Sequence, residues 1–282
     1  DGDGITSVDG DCDDADPSIG DVCWATVDAG THHSCGLDTT GRGHCWGSSG
    51  GGRTAVPDDT FISISAGYDH SCAVDSGGNV QCWGGDEYGQ STPPGGIFIS
   101  VTAGHWHSCG LETSGTIQCW GWNADGQSDP PDDAFTSVSA GSGHTCGLDD
   151  AGHVQCWGWN DYGQSNPPDT PFNQVSAGGS HTCAIDPSGS LECWGSDEDG
   201  RSTPPSGTFT HVSTGYDHAC AVDTLGAIQC WGENEFGETE PPTADFLTTT
   251  ASGSHSCGLD TSGQIHCWGS DTIGESTPPD LW

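Results

Sequence analysis

The sequence predicts an all-β fold, a β-propeller with seven blades, and two observations lead to it. A 37-residue unit returns seven times without insertion or deletion, over residues 24–60, 61–97, 98–134, 135–171, 172–208, 209–245 and 246–282. Each unit holds short alternating segments typical of strands, separated by glycine and proline, and no helical pattern interrupts them. Three or four short strands per unit, repeated at a fixed period, are the signature of a propeller.

Each unit can be divided into predicted strands. An aromatic residue opens the first strand of every unit: Trp24, Phe61, Phe98, Phe135, Phe172, Phe209 and Phe246. In the second unit FISISAG predicts this strand, because apolar and small polar residues alternate along it. HSCAVD follows as the second strand, and NVQCWG returns beside it after a turn at Gly78. A glycine recurs at this turn in all seven units, so we expect a positive φ there.

Cysteines recur in pairs. Within every unit the second cysteine follows the first by ten residues, and the hairpin places both on paired strands, close enough for one disulfide per blade. The predicted pairs are Cys35–Cys45, Cys72–Cys82, Cys109–Cys119, Cys146–Cys156, Cys183–Cys193, Cys220–Cys230 and Cys257–Cys267. A further predicted pair, Cys12 and Cys23, brackets a short loop before the first unit. So many paired cysteines predict an oxidising compartment, and hence a secreted or cell-surface protein.

Residues 1–23 form a separate segment that is dense in aspartate: Asp1, Asp3, Asp9, Asp11, Asp13, Asp14 and Asp16. Carboxylates in a short flexible loop are ligands that Ca²⁺ prefers, and beside a disulfide they would repel one another unless a cation neutralised them. We therefore expect Ca²⁺ as the cofactor. The alternative is a linker whose charges are solvated. The segment resembles the DGDG…DCDD metal-binding motif of extracellular bacterial proteins and is loosely similar to thrombospondin type 3 repeats.

The charge of the chain restricts its partners. It carries 41 acidic residues against three arginines, for a net charge of −38. Such a surface repels phosphate backbones and anionic headgroups, which excludes nucleic acid and polybasic-type membrane binding. No apolar run is long enough to cross a bilayer, so we expect no membrane insertion.

The run AGYDHSCAVDSGGNVQCWGGDEYGQ in the second unit resembles the regulator of chromosome condensation (RCC1) repeat, and the resemblance extends over residues 24–282. It implies a seven-bladed propeller, and the cysteine-paired form is similar to secreted bacterial members of the family. Nucleotide exchange and chromatin binding, known for the nuclear member, are not transferred to this acidic, cystine-rich chain. One secreted relative inhibits β-lactamase through a propeller face, so the resemblance also implies that the fold can bind proteins.

The repeated polar residues predict structure rather than chemistry. A histidine precedes each first cysteine by two positions, at His33, His70, His107, His144, His181, His218 and His255. A ring of metal ligands is one interpretation, but a structural hydrogen bond to the backbone is favoured. The cysteine spacing of ten does not suit zinc. Catalysis needs a singular constellation, which repetition does not supply, so the sequence predicts no enzyme.

Residues that vary between units indicate a recognition surface. Aromatic and acidic residues stand in two loops of each unit, and the candidate set is Tyr68, Asp69, Trp106, Trp122, Trp159, Tyr162, Tyr216 and Phe236. Exposed aromatics on loops of a rigid scaffold are typical of binding surfaces, whereas packing between adjacent blades is the alternative.

Together these features predict an extracellular, non-enzymatic structural or adhesive module of bacterial origin. It would be one calcium-stiffened bead of a larger surface protein or filament, with copies of itself as partners. This expectation also rests on the absence of Met and on an end that coincides with the end of a unit. The alternatives are a soluble inhibitor-like domain that binds another protein through one propeller face and, less favoured, an accessory domain of a glycosidase or lyase.

Overall fold

The computed structural model describes residues 22–281, which form seven three-stranded antiparallel sheets, the blades of a propeller. The strands are β1 (Trp24–Ala29), β2 (His33–Asp38), β3 (Gly43–Gly47), β4 (Phe61–Ala66), β5 (His70–Asp75), β6 (Val80–Gly84), β7 (Phe98–Ala103), β8 (His107–Glu112), β9 (Ile117–Gly121), β10 (Ser137–Ala140), β11 (His144–Leu148), β12 (Val154–Gly158), β13 (Gln174–Ala177), β14 (His181–Ile185), β15 (Leu191–Gly195), β16 (Phe209–Thr214), β17 (His218–Asp223), β18 (Ile228–Gly232), β19 (Phe246–Ser252), β20 (His255–Asp260) and β21 (Ile265–Gly269). Single 3₁₀ turns occur at Gly50–Gly52 and Glu198–Gly200.

Every blade is built from one continuous unit. Its three strands pair in chain order, and the first strands of neighbouring blades contact one another around the axis of the propeller. Successive units are also joined by a backbone hydrogen bond. The amide of Phe61 donates to the carbonyl oxygen of Gly41 at 2.7 Å, and the amide of Trp24 donates to that of Gly263 at 3.0 Å, which joins the last blade to the first. The predicted all-β propeller is confirmed.

The second and third strands form the predicted disulfide-bonded hairpin. Cys72 lies directly opposite Cys82 with 4.0 Å between the Cα atoms, and all seven predicted pairs within the units are bonded. The turn glycine has the expected positive φ, 83° at Gly78. Asp75 stabilises this turn, since its Oδ1 accepts the amide hydrogens of Gly77 and Asn79 at 2.8 and 2.9 Å.

The apolar core lies between blades rather than at the centre of the molecule. In the second blade the rings of Phe61 and Trp83 pack with centroids 6.3 Å apart, and the buried Leu37 of the first blade contacts the same cluster. A corresponding cluster joins Trp24 of the first blade to Leu259 of the last. Each blade therefore buries its aromatic residues against its neighbour, which stabilises the ring as a whole.

The repeated histidines fasten one blade to the next, as the second and third blades show. Nε2 of the fully buried His70 lies 2.7 Å from Oγ of Ser108. The Ser108 hydroxyl donates its hydrogen to the carbonyl oxygen of Gln90 at 3.1 Å, and Nε1 of Trp120 donates to the same oxygen at 2.8 Å. Because that hydroxyl has only one hydrogen, His70 must be the donor of the bond between them. We call this arrangement the interblade latch.

The latch occurs at six of the seven junctions: His33–Ser71, His70–Ser108, His107–Thr145, His144–Thr182, His218–Ser256 and His255–Ser34. The prediction that these histidines bond to the backbone was wrong, because Nε2 forms its hydrogen bond with a side-chain hydroxyl of the next blade. The exception is His181. The residue at the corresponding position is Ala219, which has no hydroxyl, and Nε2 of His181 is buried without a hydrogen-bond partner.

A second ring of hydrogen bonds surrounds the axis. In every blade an amide of the first strand donates to a side-chain oxygen of the blade before it, at 2.9–3.2 Å. The seven accepting residues form the axial ring: Asp28, Ser65, Thr102, Ser139, Ser176, Ser213 and Thr250. The ring closes through Thr250, which accepts the amide hydrogen of Ala29 at 3.0 Å.

Candidate interaction face

One end of the propeller carries both variable loops of each unit. The loop between the first and second strands and the loop after the third strand are joined by a backbone hydrogen bond, such as that from the amide of Gly85 to the carbonyl oxygen of Asp69 at 2.8 Å. The same bond occurs in the other blades, for example from Trp122 to Trp106. We call this end the loop face. The hairpin turns between the second and third strands lie at the opposite end.

Aromatic side chains form a connected network on the loop face. The rings of Tyr68 and His105 lie 4.0 Å apart, and His105 stacks on Trp106 at 4.3 Å. Trp106 is 5.7 Å from Tyr88 and 6.2 Å from Trp122, and the rings of Tyr88 and Trp122 are 4.7 Å apart. These separations suit edge-to-face and offset packing, so the rings hold one another in place. The second and third blades thus present a preformed aromatic surface.

The structure brings only some of the predicted surface residues together. Tyr68, Trp106 and Trp122 belong to the network just described, and Tyr216 approaches it from the sixth blade, with its ring 6.2 Å from that of His105. The other predicted aromatics lie outside it. Trp159 and Tyr162 form a separate pair 5.4 Å apart, and Phe236 is half exposed in the sixth blade.

The prediction omitted Tyr88, His32 and His105, all of which join the network. The ring of His32 lies 5.1 Å from that of Tyr68. They occupy the same two loops as the predicted residues, so loop position was a signal that could have identified them. The sequence left two alternatives for these aromatic residues, an exposed binding surface and packing between adjacent blades. The structure shows both. Tyr68 contacts His105 of the next blade, while Tyr88 and Tyr216 keep a substantial exposed surface.

Asp69 was also predicted at the surface, but its carboxylate is held within the protein. Its Oδ1 accepts a hydrogen bond from Nε2 of Gln90 at 3.2 Å and lies 3.6 Å from Nδ1 of His70. The neighbouring His70 imidazole, together with the hydrogen bond from Gln90, holds the pKa of Asp69 below its ordinary value. Asp69 thus orders the loop beneath Tyr68 rather than reaching outward.

The chain as a whole is strongly acidic, and its three arginines form contacts within the protein. Arg53 donates from Nη1 to the carbonyl oxygen of Tyr68 at 3.2 Å. Arg201 is buried and forms an ion pair with Asp217, and Arg42 lies 3.4 Å from Asp58. Since the net charge is −38, a partner with basic groups is favoured electrostatically over an acidic one.

The predicted metal ligands fall outside the part of the chain that the structure describes: Asp1, Asp3, Asp9, Asp11, Asp13, Asp14 and Asp16. Cys12, the predicted partner of Cys23, does as well. Within residues 22–281 no group of three or more His, Cys, Asp or Glu residues is placed to hold a metal ion. Over the same residues no helix is long and apolar enough to span a membrane.

Solved structures of other proteins share this fold. Similar solved structures include the ectodomain of the receptor kinase ACR4 from Arabidopsis thaliana (26% identity, TM-score 0.75, 88% of this chain and 98% of that one). The ectodomain of the receptor kinase CR4 from Physcomitrella patens is also similar (25%, 0.76, 88% and 74%). Prp20p from Saccharomyces cerevisiae, described with its binding to Gsp1p and histones, shares the fold (16%, 0.71, 82% and 80%).

A search of curated proteins finds no match. The family model for the regulator of chromosome condensation (RCC1) repeat, in contrast, matches six segments: residues 61–90, 98–127, 135–164, 172–201, 209–238 and 249–274. They include the repeated histidine and the cysteine pair of units two to seven. Because the matches cover more than half of the sequence, the chain belongs to the regulator of chromosome condensation repeat family.

Proposed function

We propose that this chain is an extracellular, non-enzymatic binding module that recognises a protein partner through its loop face. The observation that carries the proposal is the aromatic network that joins Tyr68, Tyr88, Trp106 and Trp122 on one end of the propeller. Rigid aromatic side chains supply large contact areas at a small loss of conformational entropy, and they are enriched at the centres of protein interfaces.

The disulfide bonds support an extracellular location for the protein. Seven disulfides, one in each blade, favour an oxidising environment such as the cell exterior. The similarity to two receptor-kinase ectodomains supports the same location. Bacterial origin remains a prediction from the sequence resemblance.

An adhesive filament of linked copies is a second proposal. It is supported by the sequence of residues 1–23, in which seven aspartates offer oxygen ligands for Ca²⁺ directly before the propeller. Bound Ca²⁺ would reduce the repulsion between neighbouring copies in such a filament, because two chains of charge −38 repel each other unless cations neutralise part of that charge. Sedimentation of the whole chain with and without EDTA tests it. Assembly that needs calcium supports it, and a monomer in both conditions contradicts it.

Display of a random peptide library tests the loop face. Peptides selected on the wild-type propeller should lose roughly 30-fold in affinity for Trp106→Ala, because removing a central aromatic residue of an interface costs about 2 kcal/mol. The matched control is Leu225→Ala. Leu225 is 84% exposed in a hairpin turn at the opposite end of the propeller, so its replacement removes exposed apolar surface without touching the loop face.

Two further results complete this test. Thermal unfolding should show that both variants remain folded at the temperature of the binding assay. Selected peptides should be rich in lysine and arginine, since the surface is acidic. Peptides that bind Trp106→Ala as tightly as the wild type would contradict the assignment of the loop face.

A further inference from the structure

The axial ring contains a single carboxylate. Six of its members are serine or threonine, whereas the first blade places Asp28 at this position. The carboxylate accepts three hydrogen bonds: from Oγ of Ser65 at 2.8 Å, from the amide of Ala66 at 2.9 Å and from Oγ1 of Thr250 at 3.0 Å. A serine would satisfy the amide of Ala66 equally well, as Ser65 does for the next blade. The ring therefore does not need a charge at this position.

Within residues 22–281, no cationic side chain lies beside this carboxylate. A cavity on the propeller axis, which we call the axial channel, is lined by the ends of the first strands and the residues that follow them, and Asp28 is the only acid in this lining, which contains no arginine. Despite its three hydrogen bonds, burial by the surrounding strands raises the pKa of Asp28. A carboxylate that is largely shielded from bulk water is stabilised by a positive counter-charge, so the channel is electrostatically suited to a cation.

The channel offers space and an entrance for such a ligand. Its volume is about 130 Å³, and it opens on the loop face between Tyr68, His105 and Tyr216. Since about 10–15 Å³ of such space holds one water molecule, the channel has room for a chain of several heavy atoms, such as an unbranched alkyl chain. Burial lowers the pKa of His105 to about 4, so its ring is neutral at pH 7 and does not repel a cation. Aromatic faces at the entrance attract ammonium groups.

We propose that the axial channel binds one primary ammonium group, the side chain of a lysine on the protein partner, with Asp28 as its counter-charge. The aliphatic stem of that lysine would lie between the aromatic rings of the entrance, and the hydroxyl groups of the ring would accept the remaining ammonium hydrogens. This inference rests on the proposed function in one respect, since the lysine is supplied by the partner that the loop face recognises.

A short peptide tests the site separately from any partner. Acetyl-Gly-Lys-Gly-amide is titrated into the full chain and followed by NMR, and the norleucine peptide, which has the stem without the ammonium, is the ligand control. The lysine peptide should bind at least tenfold more tightly. Asp28→Ser, which restores the residue type of the other blades, should remove that advantage and remain folded in thermal unfolding. Asp132→Ser removes the same charge from an exposed position outside the channel and should bind the lysine peptide as the wild type does.

Three results would overturn the inference: equal binding of the two peptides, unchanged binding by Asp28→Ser, or displacement of the lysine peptide by equimolar K⁺ or Ca²⁺, which would indicate a site for inorganic cations. Failure of this inference can be told apart from failure of the proposed function. If binding of the lysine peptide does not depend on Asp28 while binding of the selected peptides still depends on Trp106, the loop face is supported as an interaction surface and the axial site is contradicted. If binding of the lysine peptide depends on Asp28 but binding of the selected peptides does not depend on Trp106, only the axial site is supported.

Discussion

Replacing Ala219 with serine should complete the interblade latch and stabilise the protein. The new hydroxyl could accept from Nε2 of His181 and donate to the carbonyl oxygen of Arg201, which now receives a hydrogen bond from Trp231. Burial lowers the pKa of His181 to about 3, so the imidazole is neutral and offers an ordinary hydrogen bond. Such a bond contributes about 1 kcal/mol to the free energy of unfolding. For a protein of this size we expect a rise in Tm of roughly 2–4 °C.

The matched control removes a latch that exists. Ser108→Ala deletes the acceptor of His70 and leaves a buried N–H group unpaired, which should lower the free energy of unfolding by about 1–3 kcal/mol. Both variants are compared with the wild type by calorimetry and by urea unfolding. The Nε2 hydrogen of His181 should also become observable by NMR in Ala219→Ser, because a hydrogen bond slows its exchange with water.

The reasoning would be refuted if Ala219→Ser left the stability unchanged or lowered it while Ser108→Ala was destabilising. That result would mean that the junction between the fifth and sixth blades has adjusted to alanine and no longer has room for the latch. If Ser108→Ala were also neutral, the latch would make no net contribution at the junction between the second and third blades.

Other predictions concern pH and covalent bonds. Burial lowers the pKa from 6.5 to about 3 or 4 for His33, His107, His144, His181, His218 and His255, which are six of the seven repeated histidines. As the pH falls, these histidines are protonated near pH 6.5 in the unfolded chain but only near pH 3–4 in the folded one. The free energy of unfolding is therefore greatest above pH 6.5 and decreases as the pH drops toward 4. Equal urea midpoints at pH 7.5 and 5.5 would contradict this. Because the pKa of Asp28 is raised, Asp28→Ser should increase Tm at pH 7 but not at pH 3, below the ordinary pKa of 3.8. Replacing Cys72 and Cys82 with alanine should cost about 2–3 kcal/mol in chemical denaturation, and a loss below 0.5 kcal/mol would indicate that the hairpin forms without the bond.

The sequence was sufficient for features that repeat within one unit. The period of 37 residues, the hairpin that pairs Cys72 with Cys82 and the positive φ of Gly78 all depend on residues close together in the chain. Local patterns such as alternation and turn glycines report on these directly. The blades and their disulfides could therefore be predicted before the structure.

Contacts between units were harder to predict. The latch joins residues 38 positions apart, and the rings of His105 and Tyr216 approach across the propeller axis. The latch residues recur with every unit, but a repeat alone does not show which residue of one blade meets which residue of another, because that depends on how the blades are placed around the ring. Two departures from the repeat can nevertheless be identified in the sequence. Ala219 replaces a hydroxyl residue and Asp28 replaces a serine or threonine, and both mark positions where the structure departs from its own symmetry.

The way in which the ring closes has a consequence for how such a chain can change. The junction between the last and first blades uses the same hydrogen bond, from Trp24 to Gly263, as the junction between Phe61 and Gly41, and no strand is exchanged between units. The circle accordingly has no structurally privileged starting point. Circular permutation at any unit boundary should preserve the fold, and duplication or loss of a whole unit changes the size of the circle without requiring a dedicated closing strand.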